Sequence, residues 1–151
     1  MSYEEKIKQL RLVLPPAPKP VGSYCPAMVA GQQVYLSGQL AKSAEGKLMT
    51  GKVGKELTLE DGKAAARLAA LNVLSVIRNE IGFERFDRVL HVVGYVQAVP
   101  EFYDIPQVLN GASDLFVEVF GEKGVHARSA VGVASLPLNS AVEIEVEVQI
   151  K

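Results

Sequence analysis

Residues 142 to 150 read VEIEVEVQI, and their strict alternation is the feature that most limits how the chain can fold. Val142, Ile144, Val146, Val148 and Ile150 fall on one side of an extended segment, while Glu143, Glu145, Glu147 and Gln149 fall on the other. A strand of this kind needs an apolar layer against one face only, so the chain has to build a sheet with its packing partners on one side. The segment before it, ARSAVGV, also alternates: Arg128, Ala130, Gly132 and Ala134 share one face, and Ser129, Val131, Val133 and Ser135 the other. LPLNS turns the chain between the two, and the spacing predicts that the last two strands form an antiparallel pair.

Helices supply the missing layer. Thr58-Leu59-Glu60-Asp61 resembles a capping box, and Ala66, Ala70, Leu74, Ile77 and Ile81 then recur at fours and threes, which predicts a long helix running to Gly82. Asp104-Ile105-Pro106 puts an acceptor ahead of a first-turn proline and opens a second helix that closes at Gly121. Between them, residues 87 to 99 are dense in β-branched side chains and read as a strand ended by Pro100. Upstream, residues 3 to 14 form a short amphipathic helix stopped by Pro15 and Pro16. PPAPKPVG is an extended connector, and SYCPAMVA and QQVYLSG are two strands joined at Gly31. Residues 41 to 56 have no period and read as a solvated loop. The order β-β-α-β-α-β-β argues an α+β fold, a mixed sheet with two helices on one face. At 151 residues and 48% hydrophobic, the chain fits one domain, 1–151, in which 1–20 is a helical arm and proline-rich connector.

Charge and composition narrow the function. A net charge of -1, with lysine and arginine scattered among acids, argues against a nucleic-acid partner. Cys25 stands alone, the N-terminus lacks the apolar core of a leader, and no apolar run reaches the length of a membrane span, so the expectation is a soluble, cytoplasmic protein with no membrane partner. His91 and His126 lie far apart with no cysteine or acidic spacing around them, so no metal site is expected.

The residue that asks for a role is Arg128. An edge arginine can snorkel to solvent or pair with a neighbouring glutamate. It can also grip a small acid's carboxylate through two parallel hydrogen bonds, and the small side chains of Ala130 and Gly132 leave room for one. Glu143, nearest the turn, can lie across a hairpin from the strand carrying Arg128, where a carboxylate can position water. The other glutamates read as an exposed or subunit-facing row. Tyr24 and Tyr35 read as strand aromatics, and Cys25 as a small apolar residue.

Taken together, ARSAVGVASLPLNSAVEIEVEV, Gly22-Ser23-Tyr24, Leu36-Ser37-Gly38-Gln39 and Asn110 resemble the Rid family, also called YjgF or L-PSP endoribonuclease-like, from Gly22 to Ile150. The resemblance implies a chorismate-mutase-like fold, a homotrimer with sites between subunits, and deamination of 2-imino acids such as 2-iminobutanoate to 2-oxo acids without metal or organic cofactor. By position, Arg128 and Glu143 would be catalytic, with Arg128 on the carboxylate and Glu143 on water. Tyr24, Ser37, Gly38, Asn110 and the backbone of Ala130 would line the pocket. Ala130 stands where the family often has cysteine, Ser113 where an aromatic is common, and Ser23 where proline is usual. The arm and the 41–56 loop suggest a longer-chain branch. Two other functions fit the same residues: a non-catalytic protein that binds small carboxylates, and an endoribonuclease using His91 and His126 as its acid-base pair.

Overall fold

The computed structural model describes residues 1–17 and 19–151; Pro18, inside the expected connector, lies outside the described residues. The chain order is α1 (Tyr3–Gln9), β1 (Ala27–Ala30), β2 (Gln33–Leu40), α2 (Leu59–Val76), β3 (Phe86–Gln97), α3 (Ile105–Phe120), β4 (Ala127–Val133) and β5 (Val142–Ile150). The five strands form one sheet in the order β1-β2-β5-β3-β4, with β3 and β4 parallel and every other pair antiparallel. β1 and β2 form the expected hairpin, and the order β-β-α-β-α-β-β holds.

One expected pairing is wrong. β4 and β5 are not a hairpin, because β3 lies between them and β4 joins the sheet at its edge. The reason is the α3 crossover: a helix between two strands lets them run parallel, so β4 follows α3 onto the far side of β3. β5 then returns down the centre, pairing with β2 on one side and β3 on the other. Its alternation suits that place, since a central strand with one packed face buries every second residue.

Both helices lie on the face that carries Val142, Ile144, Val146, Val148 and Ile150, all buried. Val34, Leu36, Val92 and Val96 extend this face across β2 and β3. Ala65, Ala66, Ala69, Ala70, Val73 and Leu74 of α2 pack on it with Val108, Leu109, Ala112, Leu115 and Phe116 of α3. α2 begins as expected: Thr58 Oγ1 accepts from Asp61 N at 3.1 Å while Thr58 N donates to the Asp61 carboxylate at 2.9 Å. It ends in a single wider π-type turn, Ile77–Ile81. α3 does not use its expected cap, since the Asp104 side chain makes no hydrogen bond to the first turn.

Two further expectations change. α1 stops at Gln9, short of the prolines, where Arg11 turns to a φ of 56°. The 41–56 segment is not simply solvated. Ala41 and Val53 are fully buried, and bridges run from Thr50 to Ser140 and from Val53 to Leu57 and Ala98. Gln97, buried in β3, ties this loop to the Pro137–Asn139 turn: its Nε2 donates to Gly51 O and to Asn139 Oδ1, and its Oε1 accepts from Leu136 N.

Candidate functional site

Arg128 lies on the helix-facing side of the edge strand β4, in register with Val92 and Val146. Its partly buried side chain reaches α3, where Nη1 donates to Asn110 Oδ1 at 2.9 Å and to Ser113 Oγ at 3.1 Å. Those two bonds use both hydrogens on Nη1. Nε and Nη2 keep three hydrogens, on the edge of the guanidinium that matches a carboxylate. Among the described residues no acid pairs with Arg128, whereas Arg67 and Arg78 are each held by a glutamate. Arg128 is thus oriented from α3 through Nη1, with its Nε and Nη2 edge left unbonded among the described residues. Ala130, two residues on, lies on the same side against the core.

Glu143 is elsewhere. It pairs with Tyr95 on β3 and Leu40 on β2, in the row of the sheet that faces away from the helices. Arg128 and Glu143 therefore point to opposite faces of one sheet, and the expected approach across a hairpin does not occur because the hairpin does not exist. What Glu143 does meet is Gly38. A Cβ at Gly38 would run into its carboxylate, so the glycine is what allows the two to lie together. A bulge in β2 between Leu36 and Gln39 brings Gly38 to this position. Burial, reinforced by the negative charge of Glu145, raises the Glu143 carboxyl above the usual glutamate value. Glu145 itself accepts a 2.6 Å hydrogen bond from the Tyr95 hydroxyl, and that bond is the main reason Tyr95 is pushed up to about 12.

Beside Gly38 opens a cleft of about 300 Å³, lined by Tyr24, Ser37, Gly38, Lys42, Asn72 and Leu138 among others. Ser37 Oγ donates to Cys25 O at 2.6 Å, which joins the β2 bulge to the start of β1. Asn72, buried in α2, donates to the carbonyls of Leu40, Lys42 and Leu68 and so holds one wall in place. The sequence-derived residues thus separate into two groups. Tyr24, Ser37 and Gly38 line the cleft, with Glu143 against Gly38, while Asn110 holds Arg128 on the other side and Ala130 follows it on β4.

The histidines do not form a pair. His91 lies on the open face of β3, whereas His126 turns toward α3, with Nε2 2.9 Å from Ser113 Oγ and Nδ1 2.6 Å from Gly124 O. Burial chiefly lowers its pKa. Ser113, Gln97 and Asn72 are the residues that sequence reading left without a role. Each is a neutral polar side chain inside a regular element, and alternation gives such residues no special mark. No group of three or more His, Cys, Asp or Glu residues able to hold a metal is found among the described residues.

An α+β domain with an unpaired arginine at a parallel sheet edge, and a half-buried glutamate pressed on a bulge glycine, is the class that fold and site define. The family profile described as "YjgF/chorismate_mutase-like, putative endoribonuclease" matches residues 4–148. The chain is 42% identical over 146 residues to Protein TCP17 of Trypanosoma cruzi, covering 95% of this chain and 91% of that one. It is 33% identical over 132 residues to a 2-iminobutanoate/2-iminopropanoate deaminase of Dermatophagoides farinae, covering 87% and 88%. Protein Atu1372 of Agrobacterium tumefaciens, whose function is unknown, superposes with a TM-score of 0.90 at 38% identity, covering 99% of this chain and 94% of that one. The chain belongs to the YjgF/RutC family, the Rid family that its motifs resemble, and has the chorismate-mutase-like fold.

Proposed function

We propose that the protein is a 2-imino acid deaminase, working as a homotrimer whose sites are completed between subunits. The observation that carries this reading is the free Nε and Nη2 edge of Arg128, held in place by Asn110 and Ser113 without a carboxylate partner. A 2-imino acid offers a carboxylate next to an electrophilic carbon, so one arginine can both bind the substrate and fix the position of C2. The second half comes from a neighbouring copy, which brings Glu143, Gly38, Ser37 and Tyr24 to the cleft.

In this reading Glu143 takes a proton from water as the water oxygen bonds to C2 and the C=N π pair moves onto nitrogen, and it passes that proton to the nitrogen to give a neutral carbinolamine. Glu143 then takes the carbinolamine hydroxyl proton and returns it to the nitrogen as the C=O bond forms and C–N breaks, releasing ammonia and a 2-oxo acid. A carboxyl raised by burial suits a group that accepts one proton and returns it. Peptide groups along β2 and β4, together with Arg128, supply the remaining polar contacts, and the step draws on no redox equivalent.

The separation of Arg128 and Glu143 on opposite faces supports one other reading, a protein that binds small carboxylates without turnover. The two separate in one experiment. 2-Imino acids are generated with an amino-acid oxidase, and those that survive are trapped with semicarbazide. The wild type is expected to suppress trapping and Arg128→Ala to leave it at the protein-free level. Carboxylate binding by a wild type that never suppresses trapping, across several imines, would replace catalysis with binding.

A further inference from the structure

Behind Arg128 stands an arrangement that the deaminase reading does not use. Ser113 Oγ lies 2.9 Å from His126 Nε2 and 3.1 Å from Arg128 Nη1, and His126 Nδ1 lies 2.6 Å from Gly124 O. A carbonyl can only accept, so Nδ1 carries the ring proton and the neutral Nε2 is the acceptor. Ser113 then gives its one hydrogen to Nε2 and takes one from Nη1. The chain of donors runs from Arg128 through Ser113 and His126 to Gly124, and leaves the hydroxyl with no hydrogen for a ligand.

Protonation of His126 reverses the middle link. Nε2–H becomes a donor to Ser113, whose two lone pairs can accept from Nε2 and from Nη1 together. The Ser113 hydrogen is released at a point one hydrogen bond from the guanidinium, and a second positive charge now stands behind it. The groups that face the ring are the Phe116 ring and Ser113 from α3 and the Gly124 carbonyl from the turn before β4, with the Arg128 guanidinium beyond Ser113, while His91 lies on the other face of β3. None of them is an acid. Desolvation chiefly, with the charges of Arg128 and His91, holds the ring below its ordinary value against the pull of the Gly124 carbonyl, so it is neutral at pH 7 and is protonated only as pH falls below the ordinary histidine value.

We propose that Ser113 and His126 form a proton-linked relay behind Arg128, which tightens its hold on a substrate carboxylate when His126 takes up a proton. Both are positioning residues, and the proposal rests on the reading of Arg128 as the carboxylate clamp. It adds a reason for a serine on α3 at this place: a side chain without a hydroxyl there could not pass a proton change from the histidine to the arginine.

The test is binding of 2-oxobutanoate to the full chain by calorimetry from pH 8 to pH 5, a range in which the ligand stays ionised. Wild-type affinity is expected to rise on the order of tenfold as pH falls, since one more charge and one more donor then face the carboxylate. Ser113→Ala and His126→Gln are expected to flatten that slope, while His91→Gln keeps it. By linkage, saturating 2-oxobutanoate is expected to raise the pKa of His126 in an NMR titration of the wild type, a readout that needs no variant to fold. A flat wild-type slope, a slope unchanged in both relay variants, or a His126 titration unmoved by bound ligand would overturn the relay. Loss of binding in Arg128→Ala at every pH would keep the clamp even then; equal binding by Arg128→Ala would remove both.

Discussion

A carboxylate set against Gly38 and beside Glu145 is costly to ionise, and this cost is measurable apart from any activity. Because the folded-state pKa of Glu143 is raised, the folded protein holds its proton more tightly than the unfolded chain does. The stability this gives is complete below the unfolded value and is lost as pH rises through the folded one. Glu143→Gln removes the titration, so by calorimetry it is expected to melt above the wild type at pH 7, with the gap closing toward pH 4. A variant that melts below the wild type at pH 7 would show that the ionised carboxylate is compensated. If Glu143 is also the base, wild-type turnover falls on the acid side as Glu143 is protonated, and the same substitution abolishes turnover. At this scale the sequence singled out Arg128, a charge amid small, alternating side chains, but left both an edge arginine and a carboxylate clamp open, because spacing along the chain does not report whether an acid lies beside it. The link between Ser113 and His126 was not legible, since it depends on α3 crossing over β4, which spacing along the chain does not report.

At the scale of elements, the repeats of β5 and of α2 were legible because a buried face writes its own period into the sequence, although α2 is buried all round from Ala69 to Ile77, and α3 was read from its ends, Asp104-Ile105-Pro106 and Gly121. Pairing was harder. The turn at Leu136–Ser140 looks like a hairpin connection, yet the strands it joins are separated by β3. Nothing local to the turn distinguishes the two, because the choice is made by α3 carrying the chain across the sheet. α2 and α3 cross closely at Gly111, where a Cβ would meet the Lys63 carbonyl on α2. Backbone cannot yield as a flexible side chain can. Gly111→Ala is therefore expected to cost about 2 kcal/mol or more in denaturant unfolding, against a small gain from helix propensity alone. An unchanged midpoint would mean that the helices can separate without loss, and that the platform under Asn110 and Ser113 is less rigid than its packing indicates.

For the whole molecule, the decisive fact is that one sheet carries its two candidate catalytic residues on opposite faces. The open face also exposes Met28, Tyr35 and Val131, apolar side chains that a second copy can cover. Alternation alone allowed Arg128 and Glu143 to approach across a hairpin, which the strand order rules out; the family resemblance implied sites between subunits, and in the proposed assembly the two meet across such an interface. That difference is directly measurable. Arg128→Ala and Glu143→Ala subunits are produced separately and together, and turnover of an oxidase-generated 2-imino acid is compared. If each site takes its arginine from one subunit and its glutamate from another, each variant alone is inactive. A randomly mixed assembly then regains about a quarter of wild-type turnover, because one pairing in four joins two intact halves. Two inactive variants whose mixture, shown to exchange subunits, stays inactive would contradict a site built between copies of this chain.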